Sequence, residues 1–368
     1  MIEVVPHTSI LAEQLRELIK REGPITFREW MQTALYDEAM GYYRKQRKIW
    51  GREGDYRTSP ERSALFAATF ARYFARRYEH LGHPQSFVIV EIGGGEGHFA
   101  WGVLQTLQTY FPQVFAATRY VFDETSHQAR AAAQKRLNSF SARVEFAGFA
   151  QLEKEPDIVF SNELLDAFPV HRVIWMADRL CEYYVTLDSE DEFAWIVGPP
   201  STPALDEYLK RHDISLCEGQ AVEVNLEMEA WLEKVAARLK RGYLITVDYG
   251  AEAEELYSSL ERGQGTLRGF HEHGFVDNLL RAPGDHDLTS TINWTVIKVT
   301  GAHLGLKTVE FARQDKFLLA AGLLEQLAAQ SEKASEAEKH RLTTAVREMI
   351  LPNGMAASFQ VLIQEKVS

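Results

Sequence analysis

Apolar positions in this chain fall into two spacings, and the change between them divides the sequence. Residues 10–21 place Leu11, Leu15, Leu18 and Ile19 at helical intervals. Gly23-Pro24 stops that helix, and Thr26 with Glu29 three residues on reads as a capping box. The helix it opens carries Phe27, Trp30, Met31 and Leu35, so the two helices form a packed pair. Thr58 with Glu61 reads as a second box, ahead of a long helix from 62 to about 81. Beyond that point short β-branched and aromatic runs take over, at 87–90, 120–124, 143–147, 157–160 and 242–250. Helical patterns at 99–107, 128–137 and 225–239 separate them. Unbroken apolar runs of this kind are strands buried on both faces. Alternating with helices, they predict an α/β fold with a mostly parallel central sheet.

Two stretches depart from that alternation. Residues 171–200 read as three antiparallel strands, with turns at Ala177-Asp178 and at 188–191, expected to wall one side of a ligand site. Residues 265–293 are rich in His, Gly and Asp, but the spacing of His271, His273 and His286 is irregular and no cysteine joins them. No metal site is expected there. Helices near 294–303, 313–329 and 336–349 and a closing strand at 359–363 complete the chain. The expected division is an N-terminal helical extension and flap over 1–84 and a main domain over 85–368, with insertions at about 171–215 and 255–310.

The candidate chemistry begins at residues 87–100. A buried strand ends in Glu91, and Gly93, Gly95 and Gly97 follow at alternate positions before a helix opens. Glycines bring backbone close to a ligand, and the first N–H groups of the helix point at it. The dinucleotide fingerprint Gly-x-Gly-x-x-Gly fails, because His98 stands in its third glycine position. An acid ending the second strand of such a sheet accepts hydrogen bonds from ribose hydroxyls, and Asp123 and Glu124 are both placed to do so. Phe146 or Phe149, near the end of the third strand, could stack on a base. At the end of the fourth strand stand Asn162, Glu163 and Asp166, where open α/β sheets bind ligands. If that segment is helical, Glu163 and Asp166 share a face.

Composition narrows the partners. The chain has 368 residues and a formal net charge of -12. Nucleic acid is therefore not an expected partner, whereas a basic protein segment suits the surface. Two cysteines, Cys181 and Cys217, make no disulfide framework, so the default compartment is reducing. The first residues mix acids and bases, unlike a signal or transit peptide, and no window is apolar enough to span a membrane. A cytoplasmic location is the expectation. The oligomeric state stays open between monomer and homodimer. The basic run Arg44, Lys45, Arg47, Lys48 and Arg52 is a solvated loop or a flap over the ligand.

The glycine turn with a strand-end acid resembles motif I of class I S-adenosylmethionine methyltransferases. More specific elements stand at 54–61 (Gly-Asp-Tyr-Arg-Thr-Ser-Pro-Glu) and 162–169 (Asn-Glu-Leu-Leu-Asp-Ala-Phe-Pro). Together with 35–43, 248–250, 265–268 and 283–289, they make most of the chain similar to the MidA-like family of these enzymes. The resemblance implies a Rossmann-like methyltransferase fold and S-adenosylmethionine as cofactor. It implies a protein acceptor as well, because the family's mitochondrial member is a complex I assembly factor that dimethylates an arginine. It places Glu91, Gly93, Gly95, Gly97, Glu124, Ser59, Pro60 and Phe149 at the cofactor, and Glu163, Asp166 and Asn162 at the reaction. Three positions depart from the family pattern: Gly94 and His127 stand where proline is usual, and Arg57 where an apolar residue is common. The same alignment favours Glu124 over Asp123 for the ribose. A small-molecule methyltransferase or a non-catalytic cofactor-binding assembly factor are the other readings.

Overall fold

The computed structural model describes residues 10–44, 64–258, 263–271, 274–332, 334–351 and 358–367. Helix α1 (Ile10–Glu22) buries Leu11, Ala12, Leu15 and Ile19 along one stripe. The short strand β1 (Ile25–Thr26) leads into α2 (Phe27–Tyr36). The capping box forms as the spacing predicts: Thr26 Oγ1 accepts the Glu29 N–H at 3.1 Å, and Glu29 Oε2 accepts the Thr26 N–H at 2.9 Å. A cap of this kind contributes about 1 kcal/mol.

Helix α3 (Ala64–His80) precedes β2 (Phe87–Ile92), α4 (His98–Tyr110), α5 (Pro112–Ala117), β3 (Thr118–Asp123), α6 (His127–Arg136), β4 (Val144–Phe146) and β5 (Ile158–Asn162). The antiparallel stretch is β6 (His171–Met176), β7 (Arg179–Leu187) and β8 (Phe193–Gly198), as its alternating pattern predicts. It continues through α7 (Ala204–Arg211) to β9 (Ala221–Val224) and α8 (Leu226–Arg238). Strand β10 (Gly242–Ala251) and α9 (Ala253–Ser258) follow, then the small strands β11 (Arg268–His271), β12 (Gly274–Phe275), β13 (Asp287–Thr289) and β14 (Ile292–Asn293). The last elements are α10 (Trp294–His303), β15 (Lys307–Arg313), α11 (Gln314–Ala321), α12 (Leu323–Ser331), α13 (Glu336–Ile350) and β16 (Phe359–Lys366).

The central sheet runs β15-β16-β10-β5-β2-β3-β4, with β14 beside β10. Strands β2, β3, β4, β5 and β10 are mutually parallel, whereas β16 is antiparallel to both its neighbours. This is the mostly parallel α/β sheet that the apolar runs imply. Strand order reverses at β2: β3 and β4 lie on one side, β5 and β10 on the other. Ligands bind in the crevice that such a reversal opens at the carboxyl ends of the strands. Strand β15 is missed by the pattern, because an edge strand with several exposed positions carries no continuous apolar run. The helix expected over 313–329 is two helices, broken where Gly322 takes φ 107°.

Both sheet faces are covered. One core joins α3 and α4 to the β2, β3, β5, β10 and β16 side chains, with Phe99 stacked on Phe160 at 4.1 Å. Although the expected division assigns α3 to the N-terminal extension, it packs in this core. The opposite face holds Leu232, Val235, Trp294 and Ile297 from α8 and α10. A third core lies between α1, α2 and the second sheet, β1-β7-β6-β9 with β8 on β7. There Trp30 meets Phe193 edge-on at 4.6 Å, and Phe27 meets Trp195 at 5.0 Å.

Candidate active site

The glycine turn follows β2 and is tied to the end of β3: the Gly93 N–H donates to the Asp123 carbonyl at 2.8 Å. Gly95 has φ 56°, and a Cβ built on it would meet nothing within 4 Å. Its bare face therefore opens on a cleft with about 880 Å³ of space between its walls, part of it solvent. Gly94 is constrained by space: a Cβ there would lie 2.4 Å from the buried Phe122 ring. The proline usual in the resembling family has no room here. Gly97 does not line the cleft. It opens α4, and a Cβ on it would crowd Ala133 and Leu137, so its bare face serves helix packing.

Three strand-end carboxylates line the cleft: Glu91, Glu124 and Glu163. Glu91 is buried and accepts the Tyr120 hydroxyl at 2.8 Å. Burial pushes its carboxyl up to about 8, opposed by the Tyr120 bond and reinforced by the Glu124 charge. Glu124 Oε2 accepts the Gly95 N–H at 2.9 Å, and Oε1 accepts the Ser126 N–H at 2.6 Å. Burial raises the Glu124 carboxyl above its ordinary value, and these two bonds hold it down. Asp123 is turned away: its Oδ2 accepts the Phe149 N–H at 2.8 Å, and it does not line the cleft. Phe149 also lies off the cleft, packed beside the cluster of Val88, Val90 and Leu152. Phe146 meets Phe122 at 5.3 Å and is core. Ser59, Pro60, the second capping box and the basic run beyond Arg44 lie outside the described residues.

The segment after β5 is not a helix, so the shared helical face expected for Glu163 and Asp166 does not form. Glu163 takes φ 52°, a left-handed conformation that costs roughly 1–2 kcal/mol for a residue with a Cβ. Its side chain lines the cleft, and Asn162 Nδ2 donates to Glu163 Oε1 at 2.9 Å. Asp166 is not among the lining residues and sits in a buried group with Asp248, Tyr249 and Arg268. Burial lifts the Asp166 carboxyl to about 6 against the Tyr249 hydroxyl, nearby backbone N–H groups and the Arg268 charge.

Other residues complete the cleft without having been singled out. Tyr36, the last residue of α2, and Tyr43, from the turn beyond it, line it together with His98. The Tyr36 hydroxyl donates to the Ala167 carbonyl at 2.9 Å, and the Tyr43 hydroxyl donates to Asp287 Oδ1 at 2.7 Å. Burial and the carboxylates of Asp287 and Asp166 raise the Tyr36 phenol well above its ordinary range, so it keeps its proton. Burial and the Arg136 cation lower His98 to about 4, so its ring is neutral at pH 7. The wall expected from β6–β8 is thus supplied by this N-terminal segment; among the described lining residues none comes from those strands. The signal available for them was the stretch 35–43, one of the elements of the family resemblance.

Comparison with known proteins agrees with this geometry. Residues 69–312 match the model of a family described as "putative S-adenosyl-L-methionine-dependent methyltransferase". The chain is 28% identical to a mitochondrial protein arginine methyltransferase NDUFAF7 homolog of Drosophila melanogaster, over 78% of this chain and 69% of that one. Identity to the mitochondrial human NDUFAF7 protein arginine methyltransferase is 25%, over 80% and 70%. A crystal structure of a COG1565 superfamily member from Burkholderia thailandensis, bound to S-adenosyl-homocysteine, is similar with a TM-score of 0.84 and 29% identity, over 97% of this chain and 92% of that one. These relatives overturn the cytoplasmic expectation, since those matched in flies and mammals are named as mitochondrial. A low cysteine count indicates a reducing compartment and does not separate cytosol from matrix.

Proposed function

The chain belongs to this family and is an S-adenosyl-L-methionine-dependent methyltransferase; we propose that its acceptor is an arginine side chain of a protein. The observation that carries the reading is Glu163, a carboxylate held in a strained conformation on the wall of the cofactor cleft. Relatives covering most of the chain bear the name protein arginine methyltransferase. The residues present fit the cofactor. The open face of Gly95 would admit its methionyl part, Glu91 would meet its ammonium and Glu124 its ribose. When bound, the cofactor supplies an electrophilic methyl group on a sulfonium sulfur.

The chain's own residues then have a defined task. A guanidinium has a pKa above about 12 and is a poor nucleophile while it holds its full charge. Glu163 attracts it, pairs with its N–H groups and orients one nitrogen toward the cofactor. Asn162 holds Glu163 Oε1 in place for that contact. The proton that the substituted nitrogen must lose is drawn toward the same carboxylate. Tyr36 and the neutral His98 close the cleft walls and keep water from the reacting atoms. The net charge of -12 favours approach of a basic segment.

The test is incubation of the protein and methyl-labelled S-adenosylmethionine with a cell lysate. A labelled protein band, yielding methylarginine on hydrolysis, is the expected outcome. Label on lysine, on a carboxyl oxygen or in the small-molecule fraction refutes the arginine reading and leaves the cofactor assignment standing.

A further inference from the structure

We propose that Asp248 is a positioning residue for methyl transfer: it fixes the backbone that follows Glu163 and so holds the Glu163 carboxylate toward the acceptor. The inference rests on the role given to Glu163 above. Strands β5 and β10 pair in parallel as far as Asn162 and Val247. Glu163 is the first residue beyond that pairing, and its N–H donates to the Val247 carbonyl at 2.9 Å. The chain must then leave the sheet, and it does so through the left-handed turn at Glu163. Such a conformation persists only where the surroundings over-determine it.

Asp248 supplies a side-chain constraint on the backbone that follows this turn. Its Oδ2 accepts two consecutive backbone N–H groups, from Leu164 at 3.3 Å and Leu165 at 3.0 Å. Its Oδ1 accepts the Tyr249 N–H at 2.9 Å, which fixes the plane of the carboxyl group. The group is fully buried, and so is Leu165 beneath the loop. Farther along, Asn225 Nδ2 holds the Leu165 carbonyl at 3.3 Å and the Ser290 N–H holds the Asp166 carbonyl at 3.0 Å. Asp248 is not among the cleft's lining residues, so its effect on the reaction passes through the loop it holds, in which Glu163 and Leu164 line the cleft. The charged groups that face it are Asp166 behind and Glu163 in front. Asp166 is itself flanked by Tyr249 and Arg268. An asparagine at 248 keeps one oxygen but sets an NH₂ group against one of the N–H donors, which loosens the loop without emptying the site.

The experiment is a double-mutant cycle on the full chain. Asp248→Asn, Glu163→Gln and the double variant are compared by thermal melting, by calorimetric titration with S-adenosylhomocysteine, and by labelled methyl transfer into lysate protein. The expected result is a cooperative melt and affinity within about threefold of wild type for Asp248→Asn, with transfer reduced about tenfold or more. In the Glu163→Gln background, Asp248→Asn costs less than about threefold further, because the carboxylate it positions is already gone. Equal losses in both backgrounds overturn the proposal, as does a loss of S-adenosylhomocysteine binding that parallels the loss of transfer. Should Asp248→Asn fail to melt cooperatively, Asp248→Ser is read in the same cycle, since it retains an oxygen acceptor without the amide donor. Failure of both to fold overturns the proposal too, because Asp248 is then a residue of the fold and not of the site. Full transfer by Glu163→Gln alone defeats the role of Glu163 and this proposal with it; loss there with additivity defeats this proposal only.

Discussion

Glutamine at position 124 should damage the cofactor cleft about as badly as alanine, although it is the closest neutral mimic. Both oxygens of Glu124 accept backbone N–H groups: Oε2 from Gly95 and Oε1 from Ser126. A glutamine has one oxygen to offer, so its NH₂ must face one of those two donors. A buried N–H left without a partner costs about 1–3 kcal/mol. One of the two belongs to Gly95, the residue whose open face defines the cleft, so this cost falls on the turn that meets the ligand. The charge that strengthens bonds to ribose hydroxyls is removed as well, each such bond being worth about 1.5–3 kcal/mol at most. Together these effects should weaken S-adenosylhomocysteine by roughly ten- to hundredfold in a calorimetric titration. The control is Asp123→Ala. Its side chain holds only the Phe149 N–H away from the cleft, so affinity should stay within about threefold while the melting temperature falls. Glu124→Gln binding as tightly as wild type would refute the reasoning. So would the reverse pattern, with Asp123→Ala losing the ligand and Glu124→Ala keeping it.

Glu163→Gln should leave S-adenosylhomocysteine affinity within about threefold and lower methyl transfer by about 10² or more, measured as label incorporated per minute. Gly94→Ala places a Cβ 2.4 Å from the Phe122 ring, which is fully buried and cannot swing away. Overpacking of this kind should cost about 1–3 kcal/mol in a urea melt. Burial holds the Glu91 carboxyl up at about 8, above its ordinary value of 4.5. A raised folded value means that its contribution to stability is full below pH 4.5 and is lost as pH rises toward 8. Glu91→Gln lacks that loss, so its stability relative to wild type should grow steadily from pH 5 to pH 8 in urea melts. A constant difference across that range would refute the assignment.

What could be read from the chain lies next to strand ends. An unbroken apolar run marks a buried strand, and in an open parallel sheet the residues just past it face the crevice. That logic reached Glu91, Gly93, Gly95, Glu124, Asn162 and Glu163, all of which line one cleft. It could not reach Tyr36 and Tyr43, which enter the cleft from the end of α2 and the turn beyond it, because no apolar pattern in 35–43 says what that segment covers. Nor could it see that Gly97 faces α6: three alternate glycines look alike until the helix packed over one of them is in place. The helical face assumed for Glu163 and Asp166 failed for a related reason. Spacing of three implies a shared face only if the backbone is helical, and here Glu163 takes a left-handed φ and lines the cleft while Asp166 is buried beside Tyr249 and Arg268.

Strand-end acids show the limit most clearly. Glu91, Glu124 and Glu163 stand at or just past the ends of β2, β3 and β5, and Asp248 stands three residues before the end of β10; in the sequence all four read as strand-end acids. What separates them is which neighbouring N–H groups each must satisfy. Glu124 serves the glycine turn and still faces the cleft. Asp248 is used up by the loop after Glu163 and is shut away from the ligand. Both carboxylates accept backbone N–H groups, and what separates these two is that Glu124 keeps a face on the cleft while Asp248 is buried behind the loop. The division of labour between a ligand-facing acid and a loop-holding acid is therefore set by tertiary hydrogen bonding, and it becomes visible only when the two strands lie side by side.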